Sequence, residues 1–575
     1  MGLFSSLRLG SEALRAQQTG IEVAGHNLAN INTDGYTKQR VNMASVAAPA
    51  YSGASAGRGV QVQSITRQVS VYLINSIRDQ GTSLQSLDQQ SHVMQQVESI
   101  IGELSESDLS TGFSKFFDAA QNLNDNPKDA GFRENYLQEA KNLAAQFNSL
   151  GERLQNLQTT INDDVANVVK DANVLSQKIS ELNQAIVRNE SAQPNVPSQN
   201  ANDLRDQRDE AIRQLAEIVN INVSEQTNGS VVVSVTGDTL IAGNSFNSID
   251  ISQSVVNGNA TYTPIFSNNL APLVIRGGTL HGLIEARDTL VGGIINDLDI
   301  LANGFAKEVN NVQSTGFGLK GYSSVTAYEK VGAHTNVSLN TAGFSTAVED
   351  GGFNIEVRQS DGTVTPVYIQ VDADGIGFDT TLESLRDEIN SKLTGAGFTD
   401  LSANIDSNGF ISLSSTSSSL TFNFSDDSSG ILNTLGWGTL YNGDGAQGLK
   451  INSLVDSDID FLAAGSSTSP TDNTNIAKVI AMRDSKVMSN KSETIEEYYR
   501  AIVSNTAATT ARISNNAMNQ AHVVSSLQSE RLSVSGVNTD EELVSLMTYQ
   551  RSYQGAARFI SVVDELLDTL INGIF

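Results

Sequence analysis

The two ends of the chain carry the pattern that most restricts its fold, a stripe of mainly apolar residues at alternating three- and four-residue steps. Near the start, the stripe consists of Leu3, Leu7, Gly10, Leu14, Gln17, Ile21, Ala24, Leu28 and Ile31. Near the end, it consists of Leu543, Leu546, Gln550, Tyr553, Ala557, Ile560, Asp564, Leu567, Ile571 and Ile574. This spacing is typical of helices that pack along another helix. Both ends are therefore predicted to be coiled-coil-forming helices.

Each terminal stripe is bounded on its inner side by a turn or a helix cap. The first stops at Asn30–Tyr36, where clustered Asn residues and Asp34-Gly35 favour a turn. The second begins with Thr539-Asp540-Glu541-Glu542, which predicts a capping box in which Thr539 and Glu542 bind free backbone N–H groups. We expect the terminal coiled-coil segments to occupy residues 1–36 and 537–575.

This layout already suggests how the chain assembles. A lone helix of about 30 residues is marginal in water, so such ends order fully only against other helices. Seams at both ends suit a subunit that polymerises through its termini and displays its middle outward. Packing within one chain is the competing interpretation of a long apolar stripe, and periodicity alone does not decide between them. If the ends polymerise, we expect Leu567 to be mostly solvated in the isolated chain.

The regions next to the ends are predicted to be helical. Between about 82 and 190 a stripe with a mean step near 3.5 includes Leu154, Leu157, Ile161, Val165, Val168, Ala172, Leu175, Ile179, Leu182 and Ile186. Asn126-Pro127 marks a turn, and Pro194 to Pro197 ends the stretch. Further helices are expected at about 200–218 and 474–532. Residues 37–220 and 474–536 are therefore assigned to one long-helix, rod-like domain.

Residues 221–460 have mainly β patterns, as in Ser230–Val235 and Phe353–Val357, with turns at Asp361-Gly362 and Asn408-Gly409. We divide this region into a mainly-β domain at 221–334 and an outer α/β insertion module at 335–473. The module is expected to be dispensable for assembly. The predicted fold class is an α+β multidomain protein, in which terminal coiled-coil helices and a long helical bundle flank mainly-β middle domains.

Composition excludes several functions. The 575 residues include 64 acidic and 36 basic side chains, a net charge of −28, which would repel phosphate backbones and anionic lipid headgroups. The absence of cysteine excludes disulfides and thiolate sites. No apolar run approaches about 18 residues, and residues 1–8 lack the apolar segment of a cleavable signal peptide. We expect a chain that neither spans a membrane nor binds nucleic acid.

Motifs that suggest chemistry are all in unsuitable contexts. Gly316–Gly321 matches GxGxxG without a preceding strand, and Gly53–Gly57 matches GxSxG in a loop of small residues. Asp372-Ala373-Asp374-Gly375 and Asn442–Gly445 lack the distal Glu of a calcium loop. The five histidines do not have zinc-ligand spacing. We therefore predict no catalytic, cofactor or metal site.

Short motifs at both ends resemble those of the flagellar rod, hook and hook-associated proteins. At the N-terminal end the resemblance lies in Asn27-Leu28-Ala29-Asn30-Ile31-Asn32-Thr33-Asp34-Gly35-Tyr36, and especially in Asn27, Asn30, Thr33, Gly35 and Tyr36. At the C-terminal end it lies in Gly536, Val537, Glu542, Tyr549 and Gln550. His26 stands where relatives often have a second Asn. The helical insert at about 82–218 is similar to the hook-associated members, and hook and rod proteins lack it.

The resemblance implies a structural subunit, not an enzyme, that connects hook to filament. Its implied partners are copies of itself, hook protein, a second junction protein or the flagellin side of the filament, and an export chaperone at the C-terminal helix. It implies an extracellular location reached through the flagellar type III channel without a cleavable signal, and no cofactor. The predicted polymerisation contacts are Leu7, Leu14, Ile21, Leu28, Ile31, Leu543, Leu546, Tyr553, Ala557, Ile560, Leu567, Ile571 and Ile574.

Three alternatives remain open at this point. Another axial protein, a hook or distal rod protein, would share the terminal motifs, although it would lack the helical insert. An adhesin-like binding module could reside in the middle domain. A hydrolase would require activity that depends on Ser55.

Overall fold

The computed structural model describes residues 3–33, 35–46, 59–102, 108–191, 201–256, 259–329, 336–344 and 348–572. The α-helices are α1 (Leu3–Ala29), α2 (Val71–Ile101), α3 (Leu109–Asp125), α4 (Ala130–Ser191), α5 (Asn202–Ile218), α6 (Gly278–Glu285), α7 (Gly292–Ser314), α8 (Leu382–Gly395), α9 (Ile431–Leu435), α10 (Gly445–Gly448), α11 (Ser453–Ser457), α12 (Thr474–Ala481), α13 (Ile495–Ser535) and α14 (Thr539–Asn572). A π-helical segment spans Ala286–Val291, and 3-10 turns span Ile459–Phe461 and Met482–Asp484.

The strands form small antiparallel sheets. They are β1 (Gln39–Ser45), β2 (Val60–Arg67), β3 (Asn222–Glu225), β4 (Val231–Val235), β5 (Asp238–Ala242), β6 (Ser245–Phe246), β7 (Ile249–Val256), β8 (Asn259–Phe266), β9 (Ser324–Thr326), β10 (Gly351–Arg358), β11 (Val364–Val371), β12 (Leu401–Ile405), β13 (Ile411–Ser415), β14 (Thr421–Ser425), β15 (Tyr441–Asn442) and β16 (Lys450–Ile451). The sheet orders are β1-β2, β3-β4-β5-β6, β7-β8, β11-β10-β14, β12-β13-β9 and β15-β16. This combination of long helices and small sheets confirms the predicted α+β class.

The chain divides into two compact units. The first comprises 1–93, 159–287 and 511–575, and the second comprises 94–158 and 288–510. The first unit contains both terminal helices, the β1-β2 hairpin and the strands β3 to β8. The second contains the remaining strands and the helices α3 and α7 to α12.

In the first unit, asparagines of α4 fasten the sheets to that helix. Asn173 donates to the backbone oxygen of Ile249 at 2.8 Å and accepts from the N–H of the same residue at 2.8 Å. Asn183 binds the backbone of Val231 in the same two-sided way. Asn162 donates to Ala260 and accepts from the N–H of Tyr262. Because each amide replaces two ladder hydrogen bonds, buried strand backbone is satisfied without a neighbouring strand.

In the second unit, an aromatic cluster forms the core of the helical part. Phe305 of α7 lies 5.3 Å, between ring centroids, from both Phe113 and Phe116 of α3, and 5.5 Å from Tyr441. Such offset and edge contacts stabilise aromatic pairs beyond the apolar area that they bury.

The outer module of the second unit has its own core, built from β9 to β14, α8 and α9. The core contains Phe353, Phe422, Phe424 and Trp437, all fully buried. It also contains Tyr322 and Val325, which precede the boundary placed at 335 from the sequence.

Two expectations about the middle of the chain need correction. Residues 278–314, assigned to a mainly-β domain at 221–334, are almost entirely helical, and the strands of that stretch end at Phe266 apart from β9. Along α4 of the first unit, the buried positions are Val169, Ser176 and Asn183 rather than Val168, Leu175 and Leu182. Two of these three buried residues are polar, Asn183, which binds strand backbone, and Ser176, which donates to Ala172 of its own helix, so the apolar pattern misplaced the stripe there by one residue. The turn at Pro194–Pro197 lies outside the described residues.

Candidate assembly interface at the paired ends of the chain

The two terminal helices pack against each other within one chain as an antiparallel pair. Gly10 of α1 lies against Ile560 of α14, Gly20 lies against Tyr549, and Asn27 hydrogen-bonds Glu542. The two residue numbers of each contact add up to nearly the same value, so the register is constant along the pair. By this register Leu3 faces the region of Leu567, and the last turn of α14 extends past the described part of α1.

Small residues of α1 allow this close approach. Its buried positions are Gly10, Ala16, Gly20, Val23, Ala24 and Asn27. A Cβ atom on Gly10 would lie 2.5 Å from Ile560 Cγ1, and a Cβ on Gly20 would lie 2.8 to 2.9 Å from ring atoms of Tyr549. The side chains of Ile560 and Tyr549 are therefore knobs that fill holes left by glycine.

The N-terminal motif and the C-terminal motif meet at Asn27, which is 1% exposed. Its Nδ2 donates to the backbone oxygen of Gln39 at 2.9 Å and to Glu542 Oε2 at 3.1 Å. Its Oδ1 accepts from the Tyr36 hydroxyl at 2.7 Å and from the Gln39 N–H at 2.9 Å. All four hydrogen-bonding positions of the amide are used. Asn27 thereby ties the end of α1 to β1 and to the start of α14.

Tyr36 extends this network to His26. Burial, aided by the carboxylates of Asp203, Asp206 and Glu542, raises the pKa of Tyr36 well above its ordinary value, so the phenol stays neutral. Its one proton is donated to Asn27, and His26 Nδ1, 3.0 Å away, must therefore donate to the phenol oxygen. The histidine that departs from the family pattern thus supplies a hydrogen bond to the motif tyrosine.

Gly35 supports the same turn by its backbone conformation, with φ at +79°, a region that glycine enters without the usual Cβ penalty. Thr33 and Asn30 complete the turn, since the Thr33 hydroxyl donates to Asn30 Oδ1 at 3.2 Å and Asn30 Nδ2 donates to the His26 oxygen at 3.0 Å. Asp34 lies outside the described residues.

The start of α14 is bound by Lys38. Its Nζ lies 2.9 Å from Glu541 Oε2 and 3.1 Å from Glu542 Oε1. Burial alone would lower the pKa of Lys38, but these two carboxylates raise it above its ordinary value. The predicted capping box is wrong: Asn538 Oδ1 accepts from the N–H groups of Asp540 and Glu541, and the Glu542 carboxylate faces Lys38 and Asn27 instead.

We call the network of Asn27, Tyr36, Lys38 and Glu542 the clasp. A group of charged residues connects the clasp to α5. Asp206 accepts from the N–H and hydroxyl of Thr37 at 3.0 and 2.6 Å, and Arg67 lies 2.7 Å from both Asp206 and Asp209. Burial alone would lower the pKa of Arg67, but the two carboxylates raise it above its ordinary value. Arg67 and residues 203–210 are also part of the family resemblance in the sequence, but the sequence alone assigned them no contact. The available signal was the alternation of Asp and Arg along residues 203–210 of a helix.

The predicted polymerisation residues divide by exposure. Leu567 is buried, at 8% exposed, which corrects the expectation that it is solvated in the isolated chain. Leu7, Leu14, Ile21, Leu28, Leu546, Ala557 and Ile560 are half-buried. Ile31, Leu543, Tyr553 and Ile571 are exposed. Ile574 lies outside the described residues. Of the C-terminal motif, Glu542 is buried, Tyr549 is half-buried and Gln550 is exposed.

The face of α14 that points away from α1 carries a second apolar stripe. It has two parts, Val544 and Met547 near the start of the helix and Val562, Leu566 and Leu570 near its end, each between 50% and 58% exposed. Phe559, 41% exposed, lies beside the stripe and against α1, since a Cβ on Gly10 would lie 3.2 Å from its Cδ1. Val562, Leu566 and Leu570 follow one another at four-residue steps, which places them on one helix face. An exposed apolar face of this kind marks a surface for association.

The other motifs examined in the sequence do not form a comparable arrangement. Gly316–Gly321 follows α7, and no helix follows it before β9. Gly53–Gly57 and Ser55 lie outside the described residues. Oxygens of Asp372, Asp374 and Asp379 lie within 4.8 Å of one another. Asp374 and Asp379 already accept backbone hydrogen bonds from Ile376 and Gly375, as expected of a turn.

Family models match three parts of the chain. The helical domain of flagellar hook-associated protein FlgK matches residues 94–326, the C-terminal region of the FlgEFG rod proteins matches 528–573, and the flagellar basal body rod protein model matches 7–37. Flagellar hook-associated protein 1 of Salmonella typhimurium is 24% identical over 97% of this chain and 98% of its own length. The chain is similar to flagellar hook-associated protein 1 along nearly its whole length.

A further relative and a solved structure are also similar to this chain, the structure in its fold. Hook-associated protein 1 of Bacillus subtilis is 26% identical over 99% of this chain and 98% of its own length. The flagellar hook junction protein FlgK from Burkholderia pseudomallei has a similar fold, with a TM-score of 0.50, 16% identity, and coverage of 80% of this chain and all of that one. In the described part of this chain, no helix is both long and apolar enough to cross a membrane.

Proposed function

We propose that the chain is the structural subunit that joins hook to filament, and that it polymerises through its paired terminal helices. The observation that carries the proposal is the exposed apolar stripe on α14, next to a seam that is already filled by α1. One face of α14 holds the chain's own ends together, and the other is free for a neighbouring subunit.

The predicted polymerisation residues fall into two roles under this proposal. The half-buried and buried residues of both seams, together with Gly10 and Gly20, hold the pair in a fixed shape. The exposed Tyr553 and Ile571 lie four residues after the seam residues Tyr549 and Leu567 and border the seam, while Ile31 follows the end of α1 and Leu543 lies on the flank of α14, so these four are open to a neighbouring subunit. Burial of each large apolar side chain contributes about 1.5–3 kcal/mol, and the contact repeats around the assembly.

The partners follow from the same surface and from the family. They are further copies of the chain, hook protein on one side, and a second junction protein or flagellin on the other. An export chaperone would cover the outer stripe of α14 before assembly, and the chain would pass unfolded through the flagellar type III channel without a cleavable signal. The role is mechanical, and no enzymatic activity is proposed.

The test replaces one residue of the outer stripe. Leu566→Gln should leave the melting temperature unchanged, since Leu566 is 54% exposed, but should leave cells with bare hooks and flagellin in the medium. Gln554→Ala, on the exposed part of the same helix, is the matched control and should leave filaments normal. Normal filaments on Leu566→Gln cells, seen by electron microscopy, would contradict the proposed interface.

A further inference from the structure

The middle of the outer face of α14 is basic. Arg551 and Arg558 are the two basic residues of this helix. Each lies two positions, a turn of roughly 200°, from a seam residue, Tyr549 or Ile560, so both are on the side opposite α1. They lie in the interval between the two parts of the apolar stripe. The outer face of α14 therefore has an apolar start, a basic centre and an apolar end.

Neither guanidinium is used within the chain. Arg551 and Arg558 are both exposed, and neither makes a hydrogen bond or an ion pair with any residue that the structure describes. By contrast, Arg8 Nε on α1 lies 3.1 Å from Glu12 Oε1. The two arginines of α14, about 10 Å apart along the helix, are free to bind carboxylates of another molecule.

Gly555 lies between the two arginines on the same face, four residues after the first and three before the second. Glycine destabilises a helix interior relative to alanine. No contact in the described part of the chain requires it, since a Cβ added there would have no atom within 4 Å. On α1, Gly10 and Gly20 are holes that Ile560 and Tyr549 fill. Gly555 is an equivalent hole on the outer face of α14 that no described residue fills.

The combination of features is particular to this face. Gly25 of α1 and Gly81 of α2 also have open space at the Cβ position. Both are half-buried, and neither lies between two unpaired arginines. At Gly555 an exposed glycine, two unpaired positive charges and an apolar stripe coincide, which is the composition of a contact surface with a close central approach.

The charge of the chain favours a second copy of it as the occupant. With 64 acidic and 36 basic side chains, the net charge is −28, so carboxylates far outnumber bases on its surface. Such surfaces repel one another except where one of them presents a basic patch. A helix is the element that a glycine hole accepts, because the missing side chain lets another backbone approach closely.

We infer that the outer face of α14 binds an acidic helix of a second copy of this chain, with Gly555 at the closest approach and Arg551 and Arg558 on carboxylates to either side. The inference rests on the proposed polymerisation through the terminal helices and names the partner and the central contacts of that interface. An apolar stripe alone leaves two helices free to slide, whereas charged pairs at fixed places set their register.

Filling the hole separates assembly from folding. Gly555→Gln introduces a better helix former, so amide exchange of α14 in the isolated chain should become about twofold slower or more. The same variant should reduce the number of filament-bearing cells about tenfold or more, because the new side chain takes the place of the partner helix. Gly81→Ala, the control, should gain stability and leave filaments normal. Normal filaments on Gly555→Gln cells would overturn the inference.

Reversing the charges tests the arginines. Arg551→Glu combined with Arg558→Glu should reduce the number of filament-bearing cells about tenfold or more, because it opposes carboxylates to carboxylates. The melting temperature should not change, since both residues are exposed and unpaired. Replacing both by lysine keeps the charge and should retain most filaments. Arg188→Glu combined with Arg512→Glu makes the same change in net charge on exposed positions of α4 and α13 and should leave filaments normal. Equal filament numbers in the two double glutamate variants would count against the contact.

Cross-linking identifies the occupant. The chain contains no cysteine, so Gln554→Cys provides a single attachment point beside Gly555 for a photoreactive group. In intact flagella the main product should contain two copies of this chain, identified by mass spectrometry. A product with hook protein or flagellin in place of the second copy would overturn the inference. Loss of filaments in Leu566→Gln together with normal filaments in Gly555→Gln would overturn this contact and leave the proposed function intact.

Discussion

Replacing Gly20 by alanine adds one methyl group at the closest contact between α1 and α14. That methyl would lie 2.8 to 2.9 Å from three ring atoms of Tyr549, including Cγ at the base of the ring. Because rotation about χ2 leaves Cγ in place, turning the ring does not relieve the contact, and either the χ1 rotamer must change or the helices must move apart. Gly25 of the same helix offers the matched control, since a Cβ there would have no atom within 4 Å.

The two substitutions should have opposite effects on stability. Alanine is favoured over glycine in a helix interior by about 0.8–1.0 kcal/mol, and Gly25→Ala should show most of that gain. Overpacking costs about 1–3 kcal/mol, so Gly20→Ala should lose the gain and become neutral to destabilising by about 2 kcal/mol. The difference between the variants is the overpacking term, which corresponds to about a 5- to 140-fold change in the opening equilibrium of the helix pair.

Amide hydrogen exchange of α14 in the full-length chain measures that equilibrium. Exchange near Tyr549 should be faster in Gly20→Ala than in the native chain and slower in Gly25→Ala. Tyr549→Ala should remove the clash, so adding Gly20→Ala to it should then stabilise the pair as Gly25→Ala does. Equal protection in Gly20→Ala and Gly25→Ala would refute the glycine-hole packing.

Three further predictions concern other parts of the chain. Leu567→Asp should lower the stability of the terminal pair by about 1.5–3 kcal/mol or more already in the isolated chain, because Leu567 is buried; unchanged hydrogen exchange would contradict this. Burial alone would raise the pKa of Asp472, but hydrogen bonds from Ser467, Thr474 and Ser466 lower it from 3.8 to about 2. The ionised Asp472 carboxylate therefore stabilises the folded chain above about pH 4, and this stabilisation is lost as the pH falls through about 2. The difference in melting temperature between the native chain and Asp472→Asn should shrink as the pH falls from about 4 to about 2. A difference that stays constant over this range would contradict the prediction. Replacing residues 322–437 by a short linker should leave motility largely intact, because this module has its own core. A variant that is secreted but leaves its cells without filaments would contradict this.

The sequence predicted the terminal helices well but not the faces by which they pair. On α14 the predicted stripe and the packed stripe share Leu546, Ile560 and Leu567, yet Tyr549 and Val563 pack where Gln550 and Asp564 were expected. The helix has apolar residues around more than half of its circumference, so periodicity leaves a one-residue ambiguity that only the partner resolves. On α1 the contacts run through glycine and alanine, which add little to an apolar pattern.

The sequence placed the start of α14 in the correct region but assigned its cap to the wrong residue. Asn538 caps α14 although Thr539 was expected, and both residue types are good caps. Glu542 decides between them, because its carboxylate binds Asn27 and Lys38, which are more than 500 positions away in the chain, and is not available for a capping box. A capping box is a local interaction, whereas this clasp is tertiary, and tertiary contacts override local preference.

The asparagine content has a structural use that composition alone did not predict. Asn162, Asn173 and Asn183 fasten strands to a long helix by accepting from and donating to backbone groups. Asn27 binds the Gln39 backbone in the same way and joins the two ends of the chain by donating to the Glu542 carboxylate. An amide can do this without a net charge, so these contacts are independent of the net charge of −28 and need neither disulfides nor buried ion pairs. Each hydrogen bond contributes only about 1 kcal/mol, but leaving buried strand backbone unpaired would cost about 1–3 kcal/mol per group. The amides therefore act mainly by specifying where each segment lies, and a chain that must adopt one shape repeatedly, copy after copy, gains more from that specificity than from added stability.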